Sequence, residues 1–181
     1  MPNRKPEGIV EEKPDAKPAD GAFQAMDQIA NWVRFADTKA TILGAGLGVT
    51  LTMLVTNAKV IATTIKHGGL GSYIVGALAL LSLFAFFYTL YWLVRAIGPY
   101  SSVKEKELNR FAWPSLVEST ADDIASHAAA ADVRIDAWQQ VLELSVLARH
   151  KFGASGRAIK GFAVLVLLGV VCVSTAVGLT G

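Results

Sequence analysis

The sequence predicts an all-α integral membrane protein with three transmembrane helices, an N-terminal amphipathic helix and a small helical cytoplasmic segment. Two observations support this fold class. The 181 residues include 17 lysines and arginines and 15 aspartates and glutamates, yet residues 40–58, 68–94 and 161–181 contain none of them. Each stretch has the length needed to cross a bilayer, because about 20 apolar residues span a hydrocarbon core of roughly 30 Å. A soluble globular domain is therefore excluded, and membrane lipid is the predicted surrounding.

The N-terminal residues predict a tail followed by an amphipathic helix. Residues 1–20 hold four prolines and nine charged residues without an apolar core, which is typical of a disordered tail and not of a signal peptide. From residue 21 to 39, apolar residues recur at steps of three and four, so a helix is expected to run into the first span. Its polar face has two interpretations, a solvated or interfacial surface anchored by Trp32, or functional charges where the helix enters the bilayer. Arg34 and Asp37 lie three residues apart and can pair there.

The three predicted spans are residues 40–58, 68–94 and 161–181. The second span is the most hydrophobic, and its aromatic residues end shortly before Arg95, as expected of an interfacial belt with a basic anchor. Ten lysines and arginines flank the spans on the side of the N-terminus, against only Lys59 and Lys66 on the other side. The positive-inside rule therefore predicts a cytoplasmic N-terminus and a cytoplasmic segment over residues 95–160.

The cytoplasmic segment is expected to contain two helices. Ser115 and Glu118 have the spacing of a capping box, which predicts a helix over about residues 116–131. A second amphipathic helix is predicted from Val133 to Lys151. The glycine-containing residues 153–156 leave two interpretations open, a hinge or a continuous helix leading into the third span.

The residues that carry chemistry are sparse, so enzymatic activity is not expected. No phosphate-binding loop, dinucleotide-binding fingerprint or zinc-protease motif occurs, and three dispersed histidines predict no metal site. Because Cys172 is the only cysteine in the sequence, an intrachain disulfide is excluded. Its place in an apolar stretch predicts that it is a small buried hydrophobic residue. The net charge of +2 gives no support for binding of nucleic acid.

Small residues in the spans predict close helix packing. Gly44 and Gly48 form a GxxxG motif, and Ser72 with Gly76 repeats the small-xxx-small spacing in the second span. These positions serve either packing among the three spans of one chain or association between chains. A homo-oligomer is expected if the protein opens a pore, because three spans enclose little room for water.

Two short motifs resemble the transmembrane effector family of the Pycsar antiphage systems. Residues 31–46, NWVRFADTKATILGAG, match the R-x-A-D-x-K-A-like run that precedes the first span in that family, with Arg34, Asp37 and Lys39 as its charged members. Residues 136–160 are similar to its helix before the last span, whose Q-x(3)-L-S-x(3)-K-like pattern is matched by Gln140, Leu144 and Ser145, with Lys151 two positions later than the pattern places its lysine. The chain departs from the family pattern at residues 111–118, FAWPSLVE, where a more aromatic, glycine-containing run is expected.

The resemblance implies an antiphage effector that is activated by a cyclic pyrimidine mononucleotide, cCMP or cUMP, made by a partner cyclase. Activation is then expected to impair the inner membrane and cause abortive infection. Because the signal is a small anion, the candidate ligand-binding residues are the cations Arg34, Arg110 and Arg149. Two alternatives stay open: activation by a cyclic oligonucleotide, and a membrane scaffold or signalling-interaction protein that binds no nucleotide.

Overall fold

The computed structural model of the chain describes residues 21–98 and 108–180, and every regular element in these ranges is a helix. The predicted tail over residues 1–20 lies outside the described residues. The helices are α1 (Ala22–Thr56), α2 (Ala58–Lys66), α3 (Leu70–Ile97), α4 (Trp113–Val117), α5 (Ala121–Ala130) and α6 (Val133–Thr180). Since α1, α3 and α6 are long and apolar enough to cross a membrane, the predicted fold class is confirmed.

Helix α6 is continuous over 48 residues and lies between α1 and α3, packing extensively against both. It passes without a break through residues 153–156, so the continuous-helix interpretation of this stretch is the one observed. Glycine in a helix costs about 1 kcal/mol relative to alanine, and packing offsets that cost here, because Ala154 and Ser155 are buried. At 1.5 Å per residue, α6 is about 70 Å long and extends well beyond a bilayer core.

The three long helices meet through small residues at the end nearest the N-terminus. Ala40 and Leu43 of α1, Ala96 of α3 and Ala158 of α6 belong to one buried cluster. A Cβ atom added at Gly161 would lie only 2.7 Å from Thr89 Oγ1 and from the Tyr88 ring. Because lipid supplies no hydrophobic drive between helices, this close approach is a main source of packing energy.

Helix α2 occupies the short connection between the first two spans, where the sequence indicated only a loop. The chain turns from α2 into α3 at Gly68 and Gly69, whose φ angles of +74° and +86° favour glycine. The Thr64 hydroxyl donates a hydrogen bond to the Ala176 carbonyl at 3.3 Å, which ties α2 to the last turns of α6.

The predicted helix over residues 116–131 is wrong in its boundaries. The chain instead forms the five-residue α4, which begins at Trp113–Pro114 because proline suits the first turn of a helix, and then the separate α5. The capping box is made by Thr120 and Asp123: the Asp123 amide donates to Thr120 Oγ1, and the Thr120 amide donates to the Asp123 carboxylate. Hydrogen bonds from the Thr120 hydroxyl and amide lower the pKa of Asp123.

Ser115 has a different role from the predicted cap. Its hydroxyl accepts a hydrogen bond from the Asn109 amide at 2.9 Å and so closes the turn that precedes α4. The Phe111 ring of this turn packs edge-on against Phe23 of α1, with the ring centroids 5.9 Å apart. Residues 21–39 and 108–160 therefore pack together next to the spans, and we call them the juxtamembrane region.

Candidate functional site

An ion pair joins α1 to α6 where the two helices reach the spans. Lys151 donates a hydrogen bond through Nζ to Asp37 Oδ1, across 114 positions of sequence. The Lys151 side chain is only 13 % exposed, while that of Asp37 is 44 % exposed. The pairing of Asp37 with Arg34 that the spacing suggested is not observed, because the Arg34 guanidinium donates to Asn31 Oδ1 instead.

Aromatic side chains and a second lysine surround this ion pair. Lys39 Nζ lies 4.4 Å from the centroid of the Phe35 ring and 5.9 Å from that of Phe152. The Phe152 ring also packs edge-on against Trp32, with centroids 6.0 Å apart. We call this set, Trp32, Phe35, Asp37, Lys39, Lys151 and Phe152, the α1–α6 junction. It offers cationic and π surfaces side by side, a combination that can bind a small aromatic anion.

The three predicted ligand-binding arginines occupy different surroundings. Arg34 is exposed on α1, one turn before Asp37, and Arg149 is exposed on α6 without an ion-pair partner among the described residues. Arg110 is engaged in the protein itself: its Nε lies 2.6 Å from Asp136 Oδ2, and its Nη2 donates to the Ala131 carbonyl at 2.9 Å. The three arginines share no hydrogen-bond or ion-pair partner within the described ranges.

Asp136 is the centre of a polar network that the sequence did not reveal. The residue is 2 % exposed near the start of α6, and its Oδ2 also lies 2.9 Å from His127 Nε2. Its backbone carbonyl accepts a hydrogen bond from Asn109 Nδ2 at 3.0 Å. Together these contacts attach the turn at residues 108–112 and helix α5 to the base of α6.

The charge state of Asp136 follows from these partners. Burial, the largest single influence, raises the pKa of this carboxyl, but hydrogen bonds and charges from Arg110 and His127 outweigh it and hold the pKa below its ordinary value. Asp136 is therefore a carboxylate at neutral pH, and it holds Arg110 in place. Its partners lie 9 and 26 residues away, so no local spacing rule pointed to the network.

The small residues singled out in the spans have distinct surroundings. A Cβ atom at Gly44 would lie 3.6 Å from the Leu93 side chain, an ordinary contact, whereas nothing lies within 4 Å of the same position at Gly48 or Gly76. The Ser72 hydroxyl donates to the Ile65 carbonyl and so joins α3 to α2. Within one chain the tightest approaches are instead made by Gly71 and Gly161.

Metal binding finds no support in the described part of the chain, which contains no cluster of three or more histidine, cysteine, aspartate or glutamate residues suited to an ion. Asp123 and His127, one helical turn apart on α5, serve separate contacts, the Thr120–Asp123 cap and the His127–Asp136 contact.

Comparison with known protein families gives a match that covers most of the chain. A family model described as a Pycsar effector protein domain matches residues 21–179. Neither the comparison with curated proteins nor the comparison with solved structures gives a match. The matched range contains both motifs from which the resemblance was drawn, the α1–α6 junction and all three apolar helices. The chain therefore belongs to the Pycsar antiphage effector family.

Proposed function

We propose that this effector is activated by a cyclic pyrimidine mononucleotide, cCMP or cUMP, made by a partner cyclase, and that activation impairs the bacterial inner membrane and causes abortive infection. The protein acts in this proposal as a non-enzymatic switch that changes the arrangement of its own spans. The observation that carries the proposal is the α1–α6 junction, where an ion pair and an aromatic-cationic surface lie on two helices that continue directly into the membrane.

The junction suits a signal that is both an anion and an aromatic ring. A cyclic mononucleotide carries one negative phosphodiester and one base. The phosphodiester competes with the Asp37 carboxylate for Lys151, since both are oxygen acceptors for a lysine ammonium. Arg34, one helical turn from Asp37, supplies a second cation. The half-exposed rings of Trp32 and Phe35 offer faces on which a pyrimidine can stack.

Binding in this way favours one arrangement of helices over another. With Asp37 bound to Lys151, the two helices are joined where they reach the spans; with the nucleotide in place of Asp37, that link is lost and new contacts replace it. A ligand shifts a conformational equilibrium only through such differential contacts. Arg149 precedes Lys151 by two residues on α6, so its side chain projects from another face of the helix. Arg149 therefore points away from a nucleotide bound to Lys151, and we assign Arg110 to the Asp136 network.

The proposed orientation places the junction in the cytoplasm, where the nucleotide is made. It rests on the excess of lysine and arginine on the side of the N-terminus. The proposed assembly is a homo-oligomer, because a bundle of three spans encloses little room for water. Gly48 and Gly76 are available for contacts between chains, since no atom of the described chain occupies the space above them.

The proposal is tested by dye entry into cells that express the effector with and without its cyclase. Wild-type effector should admit an impermeant DNA dye only when the cyclase is active, and Arg34→Gln should abolish that entry while the protein remains in the membrane fraction. Lys66→Gln, in α2 at the other end of the bundle, is the matched control and should behave as wild type. If dye entry is the same with and without the cyclase in the wild type and in every variant, the result would instead favour the scaffold function.

A further inference from the structure

A groove between α3 and α6 lies outside the α1–α6 junction and has no role in the function proposed above. It has a volume of about 430 Å³ and is lined by Leu81, Phe84, Ala85, Tyr88, Lys160, Gly161, Val164 and Leu168. The lining residues of each helix recur at steps of three and four, so each set forms one stripe on its helix. The wall is apolar except at one end, where Lys160 and Tyr88 lie.

The end of the groove nearest the juxtamembrane region is cationic. Lys160 lines the groove directly, and the Arg157 guanidinium, one turn earlier on α6, lies over the Trp92 ring with Cζ 4.2 Å from its centroid. Gly161 allows Tyr88 to lie against the backbone of α6, because a Cβ atom there would come within 2.7 Å of the Tyr88 ring. Two cations and two amphipathic aromatic rings thus lie together, a combination that membrane proteins use where lipid headgroups meet acyl chains.

These two cations have no acidic partner in the part of the chain that the structure describes. No aspartate or glutamate occurs in residues 38–104 or 144–181, the parts of the sequence that contain α3 and the membrane half of α6. Within the described residues, neither Arg157 nor Lys160 makes an ion pair. Their charges are therefore available to an anion that arrives from outside the chain.

We propose that this groove is a binding site for an anionic phospholipid such as phosphatidylglycerol. The lipid phosphate contacts Lys160 and Arg157, and one acyl chain lies in the groove outside the Tyr88–Gly161 contact, along the stripe from Gly161 to Leu168 of α6. The stripe is about 10 Å long at 1.5 Å per residue, which matches the upper part of an acyl chain in a leaflet of about 15 Å. The positive charges of Lys160 and Arg157 at one end and the apolar wall beyond them favour an anionic phospholipid over a neutral lipid.

The experiment uses the full chain, purified in a neutral detergent. Phosphatidylglycerol or phosphatidylcholine with the same acyl chains is added, and native mass spectrometry measures how much lipid remains bound. Wild-type protein should retain phosphatidylglycerol at collision energies that remove phosphatidylcholine. Lys160→Gln and Arg157→Gln should each weaken phosphatidylglycerol binding about fivefold, the effect of one cation near an anionic headgroup. Lys59→Gln, in α2 at the opposite end of the bundle, is the matched control and should leave binding unchanged.

A groove-filling variant separates this site from general surface attraction. Val164→Trp retains both cations but places an indole in the path of the acyl chain, so it should weaken phosphatidylglycerol binding as much as Lys160→Gln does. Circular dichroism checks that each variant keeps its helices, and the comparison of the two lipids on wild-type protein decides the question even if a variant unfolds. Inorganic phosphate, added alone, should not compete with the lipid.

Four results would overturn the proposal. The first is that wild-type protein retains the two lipids equally, and the second is that Lys160→Gln and Arg157→Gln both bind phosphatidylglycerol as the wild type does. The third is that inorganic phosphate displaces the lipid completely. The fourth is that the wild type is a dimer without bound lipid and that Val164→Trp is a monomer. The last result would assign the groove to a second copy of the chain. None of these outcomes depends on nucleotide activation, so the lipid site and the proposed function are tested separately.

Discussion

At the scale of single residues, two of the three charged members of the α1 motif, Asp37 and Lys39, serve contacts between helices. Asp37 pairs with Lys151, and Lys39 lies over aromatic rings of both helices. Charges so close to a bilayer are costly unless they are paired or functional. The motif residues found by sequence therefore carry the link between α1 and α6, which is also where we place the response to the nucleotide.

The Asp37–Lys151 ion pair should restrain the effector in its inactive arrangement. Asp37→Asn keeps the size of the side chain but removes the charge that competes with the nucleotide phosphate. An ion pair of this exposure is worth up to about 1 kcal/mol, so the nucleotide concentration for half-maximal depolarisation should fall about fivefold. Asp27→Asn, on an exposed position of the same helix, is the control. Unchanged sensitivity of Asp37→Asn in a vesicle titration would remove Asp37 from the mechanism.

The Asp136 network should fix residues 108–131 to the base of α6. Asp136→Asn leaves the Arg110 guanidinium without its charged partner in a largely buried place, which should cost about 2 kcal/mol. Amide hydrogen exchange in this segment should then be about thirtyfold faster, while exchange in the spans stays the same. Glu118→Gln, an exposed position nearby, should have no effect, and wild-type protection in Asp136→Asn would show that the network does not hold the segment.

The Asp136 network also predicts that the stability of residues 108–131 depends on pH in the acid range. Because the pKa of Asp136 is lowered in the folded protein, its contribution to stability is complete above the ordinary pKa of aspartate, about 4. That contribution is lost as the pH falls below this value through the lowered pKa. Exchange of residues 108–131 should accelerate in that range in the wild type, and Asp136→Asn should lack this acid-dependent part.

At the scale of helices, the architecture depends on how closely α3 and α6 approach one another. The approach is set by Gly161 against Tyr88 and Thr89, and not by the GxxxG pair that the sequence singled out. Gly48 faces open space within the chain, whereas Gly161 is buried and lies against Tyr88 and Thr89 of α3. Small residues are thus used in two ways, some within one chain and some left on its outside.

Gly161→Leu should therefore destabilise the bundle. The added side chain has no room beside Thr89 Oγ1, so α3 and α6 must separate or rearrange, and overpacking of this kind costs about 1–3 kcal/mol. Thermal unfolding followed by circular dichroism in detergent measures the loss. Gly178→Leu, near the end of the same helix, adds the same atoms where the chain leaves space, and its unfolding should match that of the wild type; equal destabilisation by both variants would contradict the assigned packing.

Prediction from sequence succeeded where a single stretch of chain determines the outcome. The three apolar stretches and the helix that runs into the first span follow from hydropathy and periodicity alone, and they are observed in α1, α3 and α6. The helix over residues 116–131 was wrong because two sites, Ser115 and Thr120, offer similar capping chemistry and the Asn109 amide engages Ser115. The partners of Asp37 and Asp136 could not be predicted, because they come from distant parts of the chain.

At the scale of the whole molecule, one helix connects the polar and the apolar parts. Helix α6 begins at the Asp136 network, passes the α1–α6 junction and ends beside α2 at the opposite end of the bundle. Any displacement at the junction is therefore transmitted along a rigid element that packs against both other spans. This continuity is the physical basis on which we propose that a cytoplasmic signal alters the membrane.

The most direct test is a nucleotide panel applied to inside-out membrane vesicles that contain the full-length effector and a potential-sensitive dye. The proposal predicts that cCMP or cUMP collapses the membrane potential, whereas cAMP, cGMP and a cyclic dinucleotide do not, and that vesicles without the effector respond to none of them. Collapse by the cyclic dinucleotide alone would identify a different signal. A stable potential with every nucleotide, in vesicles shown to contain the protein, would contradict the central claim.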